Sequence, residues 1–146
     1  MNLIMIVSNN NKSNLFWDIL NNCDFFSEEL NHKPIIVNEK HFRELPTKNK
    51  KRRHIVVSPN LKSEDSNVLI FENNSKLLSR LELMTEEVYI ICDREMYHYY
   101  LPYVHTIYLI DFKGDDNKLV VDNQKFSGEA LIENNIYKMI KYRKEI

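Results

Sequence analysis

Six short runs of apolar, mostly β-branched residues recur along the chain and predict six strands. They lie at 3–7, 34–37, 54–57, 68–71, 88–91 and 107–110. The runs do not alternate apolar with polar positions, which is typical of strands that are buried on both faces of a parallel sheet. The pattern therefore favours a central sheet that is covered by helices on both sides.

Apolar residues spaced three to four positions apart predict helices between these strands. The spacing indicates one helix over 15–30 and a second over 75–84, with Asn74-Ser75 as its cap. A third helix over 94–100 is expected to end at Leu101-Pro102, because the residue before a proline avoids helical backbone angles. Strands and helices thus alternate, which predicts right-handed crossovers and an α/β fold with a mostly parallel sheet.

Turn signals replace this alternation after residue 111. They occur at 113–116, 122–123 and 134–135, and the short segments between them predict antiparallel hairpins at the edge of the sheet. A helix over 136–142 remains the alternative, since its apolar residues also lie three to four positions apart. The polar stretch 9–14 and the basic run 48–53 are expected to be surface loops.

Composition narrows the class of protein. The chain has 146 residues, 43% of them hydrophobic, and a net charge of −1, so we expect one domain over 1–146 and no long-range field for nucleic acid or membrane. Cys23 and Cys92 lack metal-ligand spacing and suggest a reducing compartment. Because the run 3–7 is too short for a signal sequence or a membrane span, the expected location is cytoplasmic. Abundant Asn, Lys and Ile suggest a virus, a phage or a low-GC bacterium as source.

Three segments resemble, in order, the dihydrofolate reductase family. Trp17-Asp18-Ile19-Leu20-Asn21-Asn22, followed by two phenylalanines, is similar to the family's tryptophan, aliphatic and acid pattern. The segment 33–42, leading to 52–58, is similar to its Lys-Pro strand, Gly-Arg turn and Arg-Asn-Ile-Val strand. The segment 88–109 is similar to its strand, double glycine, helix and Leu-Pro motif. The resemblance covers residues 1 to about 112 and implies a three-layer dihydrofolate reductase-like fold.

The same resemblance indicates that the cofactor site has changed. The family's double glycine, where backbone approaches the pyrophosphate of NADPH, corresponds to Cys92 and Asp93. The glycine, arginine and threonine of the second segment correspond to Asn38, Glu39 and His41. Glu39 and Asp93 place negative charge where phosphates would lie. We therefore expect that NADPH binding is lost and that the chain uses no cofactor.

Two positions that correspond to the family's substrate pocket also lack the acid and the hydroxyl group found there in the family. The family's acid, which holds the pterin ring and lies on the route of proton supply, corresponds to Asn22, and its threonine partner corresponds to Ile110. An amide cannot balance a protonated pterin, and general acid–base catalysis contributes about 10²- to 10⁴-fold. No catalytic residue is therefore expected at these degenerate positions.

Other positions keep the character of the family's pocket. These residual substrate-pocket candidates are Trp17, Phe26, Leu45, Arg52, Ile91 and Tyr97. Arg52 matches the arginine that grips the folate glutamate, although its place in the run 48–53 favours a solvated basic loop as the explanation of its type. Packing alone accounts for the apolar and aromatic positions. A weak folate-like ligand is the expectation if the pocket persists.

The remaining candidates concern partners and metals. Tyr99, Tyr100 and Tyr103 cluster near Leu101-Pro102 and are candidates for a protein interface. The five histidines have no metal-ligand spacing, so no metal is expected. The basic run 48–53 lacks interleaved aromatic residues, which makes nucleic acid an unfavoured partner.

These observations favour a catalytically inactive dihydrofolate reductase-like protein, a pseudoenzyme that acts through a protein partner, regulation or assembly. The losses fall on chemistry, while the strand patterns, the Leu-Pro motif and the tryptophan persist. Two alternatives stay open. One is a divergent NADPH-dependent reductase of dihydrofolate or a pyrimidine, and the other is a module that binds a folate-like ligand without turnover.

Overall fold

The computed structural model describes residues 1–9, 13–23, 26, 30, 32–44, 52–114 and 118–145. Along these residues the chain forms the following elements in order: β1 (Leu3–Ser8), α1 (Ser13–Asn22), β2 (Ile35–Asn38), α2 (Glu39–Glu44), β3 (His54–Val57), β4 (Val68–Phe71), α3 (Asn74–Leu81), β5 (Val88–Cys92), α4 (Arg94–Tyr100), a 3₁₀ helix (Leu101–Tyr103), β6 (Val104–Phe112), β7 (Phe126–Glu133) and β8 (Tyr137–Lys144). The sheet is mostly parallel, with antiparallel C-terminal strands. The predicted α/β fold class is confirmed.

The chain contacts group into two compact units, the first with residues 1–2 and 12–91 and the second with 3–11 and 92–146. In the first unit, four parallel strands follow the order β4-β3-β2-β5. Ile35, Ile36 and Val37 on β2 are fully buried, which confirms the expectation from their unbroken apolar run. Leu69 on β4 is 48% exposed, because β4 is the outer strand and is paired with β3 on one side only.

The second unit carries the order β1-β6-β8-β7. β1 runs parallel to β6, with Met5 opposite Ile107, and its residues Leu3, Met5 and Ile6 are fully buried. β8 is antiparallel to both β6 and β7. The predicted C-terminal hairpin is therefore confirmed, and the helical alternative for 136–142 is wrong. Hydrogen bonding to strands on both sides, together with the full burial of Met139, stabilises the extended conformation.

Helix boundaries differ from the predicted ones. The helix expected over 15–30 is α1, which begins at Ser13 and ends at Asn22. The N-cap of α3 is Asn73 and not Asn74-Ser75, since Asn73 Oδ1 accepts the Lys76 amide at 2.9 Å. The helix over 94–100 is confirmed, and Leu101-Pro102 continues it as a 3₁₀ turn. No described helix is long and apolar enough to cross a bilayer.

The described residues of the polar stretch 9–14 do not form the surface loop that its composition predicts. Asn9 is 4% exposed. Its side-chain oxygen accepts the Phe112 amide at 2.8 Å, and its Nδ2 donates to Asp111 Oδ1 at 2.9 Å. These bonds tie the end of β1 to the end of β6. Residues 13 and 14 already belong to α1, and 10–12 lie outside the described residues.

Gly128 on β7 lies directly opposite Tyr142 on β8. A Cβ at Gly128 would come within 2.7 Å of Tyr142 Cε1 and 2.9 Å of its Cδ1. Because this space is filled by the ring, we expect Gly128→Val to lower the free energy of unfolding by about 1 kcal/mol in a urea titration. The double variant Gly128→Val, Tyr142→Ala should regain part of that loss. A single variant as stable as the native chain would contradict the close packing.

Candidate functional site

The carboxyl end of β2 leads directly into α2, and Asn38 caps this helix. Asn38 Oδ1 accepts the backbone N–H of His41 at 2.7 Å, which is the bond that an N-cap residue makes to the third residue of a helix. Glu39 forms an ion pair with Arg43 at 3.0 Å along the solvent-facing side of α2. The three predicted cofactor positions Asn38, Glu39 and His41 therefore lie together at the start of α2, and their hydrogen bonds and ion pair are made within this segment.

The carboxyl end of β5 has the same arrangement. Asp93 precedes α4, and its Oδ1 accepts the Met96 N–H at 2.8 Å. Cys92 is buried, and burial together with the Asp93 charge raises the pKa of its thiol well above the ordinary value. A thiol held in its neutral form is a packed side chain and not an activated nucleophile. The two positions of the family's double glycine are thus a core residue and a helix cap.

Each of these caps occupies one of the amide donors that a phosphate would use. The first amides of a helix have no partner within the helix and bind anions in many nucleotide-binding folds. In α2, α3 and α4 one of these amides donates to Asn38, Asn73 and Asp93. Asp93 also adds a negative charge at the start of α4. At the two capped positions that correspond to the family's cofactor site, the side chains of Asn38 and Asp93 do not fit a pyrophosphate.

Helix α1 positions the tryptophan of the first motif. Its inner face buries Phe16, Trp17 and Leu20, while Asn22 at its last position is exposed. Trp17 is 2% exposed and meets Phe16 edge to face, with ring centroids 5.7 Å apart. Its indole Nε1 has no hydrogen-bond partner among the residues that the structure describes. A buried, unpaired N–H is costly and is the kind of donor that a bound polar molecule satisfies.

Arg52 is half-buried, so the solvated loop expected for 48–53 is wrong at this residue; residues 48–51 lie outside the described residues. Its guanidinium Nη2 donates to Asn21 Oδ1 at 3.2 Å, and burial lowers its pKa. Its carbonyl oxygen accepts from the His54 ring Nδ1 at 2.9 Å and from Asn67 Nδ2 at 3.0 Å. These two hydrogen bonds fix the backbone of Arg52 and thereby position its side chain.

His54 is the residue of this site that the sequence did not single out. Its ring is 1% exposed and meets Phe42 edge to face at 5.8 Å. Burial, with a smaller contribution from the Arg52 charge, lowers the pKa of His54 to about 4. The imidazole is therefore neutral near pH 7 and donates its Nδ1 proton to the Arg52 carbonyl. A histidine in an apolar run does not by itself indicate a functional residue. Only the fold shows that His54 and Asn67 both hydrogen-bond to the Arg52 carbonyl.

The other predicted positions are mostly core. Phe26 and Ile91 are fully buried, as is Ile110, the degenerate threonine position, and Tyr97 is nearly so. Burial, followed by the charges of Tyr142, Asp122 and Cys92, raises the pKa of the Tyr97 hydroxyl. Leu45 lies outside the described residues.

The predicted tyrosine interface needs one correction. Tyr100 is fully buried and stacks edge to face on Tyr99, with centroids 4.9 Å apart, so it cannot form part of an exposed patch. Its position on the inner side of α4 was not visible from a cluster of tyrosines in sequence. Tyr99 and Tyr103 are 40% and 41% exposed and stay interface candidates. Within the described ranges, no three side chains of His, Cys, Asp or Glu are grouped as metal ligands.

The sheet is a mostly parallel α/β sheet, and Asn38 and Asp93 lie at the carboxyl ends of β2 and β5. In open α/β sheets in general, ligands bind at that edge. The chain belongs to the dihydrofolate reductase family, whose sequence profile matches residues 2–138. This finding confirms the resemblance stated above. No curated protein sequence matches the chain.

Solved structures of dihydrofolate reductases are similar to this fold. The enzyme of Schistosoma mansoni superposes with a TM-score of 0.74 at 20% identity, covering 99% of both chains. The Enterococcus faecalis dihydrofolate reductase, solved with NADP(H) and RAB-propyl, gives a TM-score of 0.68 at 17% identity, covering 99% of this chain and 96% of that one. At these identities the likeness concerns the fold.

Proposed function

We propose that this member of the dihydrofolate reductase family no longer binds NADPH or reduces dihydrofolate, and that it acts by binding a protein partner. The observation that carries the proposal is the capping of α2 and α4 by Asn38 and Asp93. Each cap accepts a hydrogen bond from a helix amide, at a position where the family's phosphates approach a backbone that carries no side chain. The ion pair of Glu39 with Arg43 supports the same reading, because Glu39 is charged and fixed where the family has an arginine.

The substrate positions support the proposal independently. Asn22 is exposed and uncharged at the position of the family's acid, and Ile110 offers no hydrogen bond at the position of its partner. A reaction that needs a proton at the pterin ring therefore has no donor at either position. The exposed rings of Tyr99 and Tyr103 are the surface that we assign to the partner, since tyrosines are enriched in protein interfaces.

Isothermal titration of the purified chain with NADPH tests the first part. We expect no heat of binding at NADPH concentrations up to about 1 mM, which corresponds to a binding free energy weaker than about −4 kcal/mol. A parallel assay with NADPH and dihydrofolate at several pH values should give no hydride transfer. Micromolar binding or turnover would refute the loss of function and make the chain a divergent reductase of dihydrofolate or a pyrimidine.

A second function is favoured by one pair of observations. The unpaired Trp17 N–H and the half-buried Arg52 guanidinium are donors suited to a polar, carboxylate-bearing molecule. A module that binds a folate-like ligand without turnover would use both. Thermal shift with folate and methotrexate separates this function from the first, because a ligand that binds only the folded chain raises the melting temperature with its concentration.

A further inference from the structure

A cavity of about 220 Å³ lies within the first unit, at the amino ends of β2, β3 and β4. Pro34, Arg53 and Asn67, which precede these three strands, are among its lining residues. The positions inherited from the family's cofactor site in this unit follow the opposite, carboxyl end of β2. The proposed function therefore does not account for this cavity.

Part of the cavity lining is apolar. Pro34, Ile55, Leu69 and Met84 form this part, and Leu69 is the exposed residue of the outer strand β4. Leu83, the chain neighbour of Met84, is exposed as well. An apolar wall open to water beside a cavity is the surface that the body of a small ligand would cover.

The charged residues of the lining, Arg53, Arg80 and Glu86, leave an excess of one positive charge. Arg53 pairs with Glu86, at 2.8 Å from Nη2 and 3.4 Å from Nη1, and these two charges balance. Arg80, in the last turn of α3, also lines the cavity, and its side chain makes no ion pair or hydrogen bond in the described part of the chain. His54 is neutral near pH 7. One guanidinium is therefore left to meet an anion.

We propose that this cavity binds a small amphipathic monocarboxylate, an aromatic or branched acid whose carboxylate pairs with Arg80 and whose apolar body lies on Leu69 and Met84. Size restricts the ligand class. An apolar cavity of about 150 Å³ holds benzene, and sites for larger ligands measure roughly 300–1,000 Å³. The volume of about 220 Å³ suits an acid the size of benzoate and is too small to enclose a dinucleotide. Arginine gives the carboxylate two parallel hydrogen bonds and hence orientation.

The test is a titration of the full ¹⁵N-labelled chain with sodium benzoate, followed by amide chemical shifts. We expect saturable shifts in the millimolar range, concentrated at 66–69 and 80–86. Benzamide, which has the same shape without the charge, and the variant Arg80→Gln should each weaken binding on the order of tenfold or more. Arg143→Gln, which removes an exposed arginine in the other unit, is the matched control and should bind benzoate as the native chain does.

Both variants should fold, because Arg80 and Arg143 are exposed and glutamine is tolerated in helices and on strand surfaces. Equal binding of benzoate and benzamide, equal binding by Arg80→Gln, shifts outside the cavity, or no saturation below about 20 mM would each overturn the proposal. Binding of an acetylated dipeptide that ends in leucine, without binding of benzoate, would overturn it in favour of peptide docking. None of these outcomes depends on NADPH, so the result is independent of the proposed function.

Discussion

The variant Cys92→Gly, Asp93→Gly, Asn38→Gly, Glu39→Arg is expected to bind NADPH at least about 100-fold more tightly than the native chain. The glycines release the His41 and Met96 amides that the two caps now occupy, and the arginine replaces a repelling charge by a phosphate ligand. Each charge-assisted hydrogen bond contributes about 1.5–3 kcal/mol, or roughly tenfold or more in affinity. Isothermal titration of both proteins under identical salt conditions measures the difference.

The two N-cap changes should cost only a few tenths of a kcal/mol each. Cys92→Gly removes a buried side chain from β5 and should lower the free energy of unfolding by about 1 kcal/mol or more. Asn73→Gly is the matched control. It removes the same kind of cap from α3, at a position that the family does not use for phosphate, and should leave NADPH binding undetectable. If the fourfold variant is folded by circular dichroism and still binds no NADPH, the caps are not what closes the site.

The second large effect concerns the dependence of stability on pH. His54 has a pKa of about 4 in the folded chain and about 6.5 when unfolded. Between these values the unfolded chain binds more protons, so the free energy of unfolding falls as the pH is lowered from about 6.5 toward 4. The stabilisation is complete above pH 6.5, and about 2 kcal/mol of it should be lost at pH 5.

Urea titrations at pH 7 and pH 5 measure this loss. Carboxylates also titrate in this range, so the comparison is with His54→Asn, whose amide still reaches the Arg52 carbonyl but does not titrate. The native chain should lose about 2 kcal/mol more than the variant on going from pH 7 to pH 5. His98→Asn, which changes an exposed histidine, serves as the control and should behave as the native chain. Equal losses in native chain and His54→Asn would show that His54 is solvated.

The same bonds connect stability with the candidate site. His54 and Asn67 both donate to the Arg52 carbonyl, and Arg52 reaches Asn21 on α1. Protonation of His54 would place a second positive charge beside Arg52 in a buried setting. We therefore expect that the binding of a carboxylate ligand by Arg52 and the neutral form of His54 both depend on the same packed segment. Comparing the rise in melting temperature that folate causes at pH 7 and at pH 5 would reveal this dependence.

Local patterns in the sequence determined most of the strands and the family. The unbroken apolar runs at 3–7, 34–37 and 54–57 coincide with β1, β2 and β3 within one residue, because a buried parallel strand needs apolar residues on both faces. The helix at 94–100 and the turn at 134–135 were equally readable. Asn134 Oδ1 accepts the Ile136 and Tyr137 amides, a bond between near neighbours that residue type alone favours.

Only the tertiary structure decided the features that depend on distant residues. Asn9 is buried because its partners Asp111 and Phe112 lie about a hundred positions away. The choice of strand over helix at Tyr137–Lys144 required β6 and β7 on either side. Residue type and spacing report on the nearest turn of chain, whereas burial and pairing are set by which segments meet, and that is a property of the whole fold.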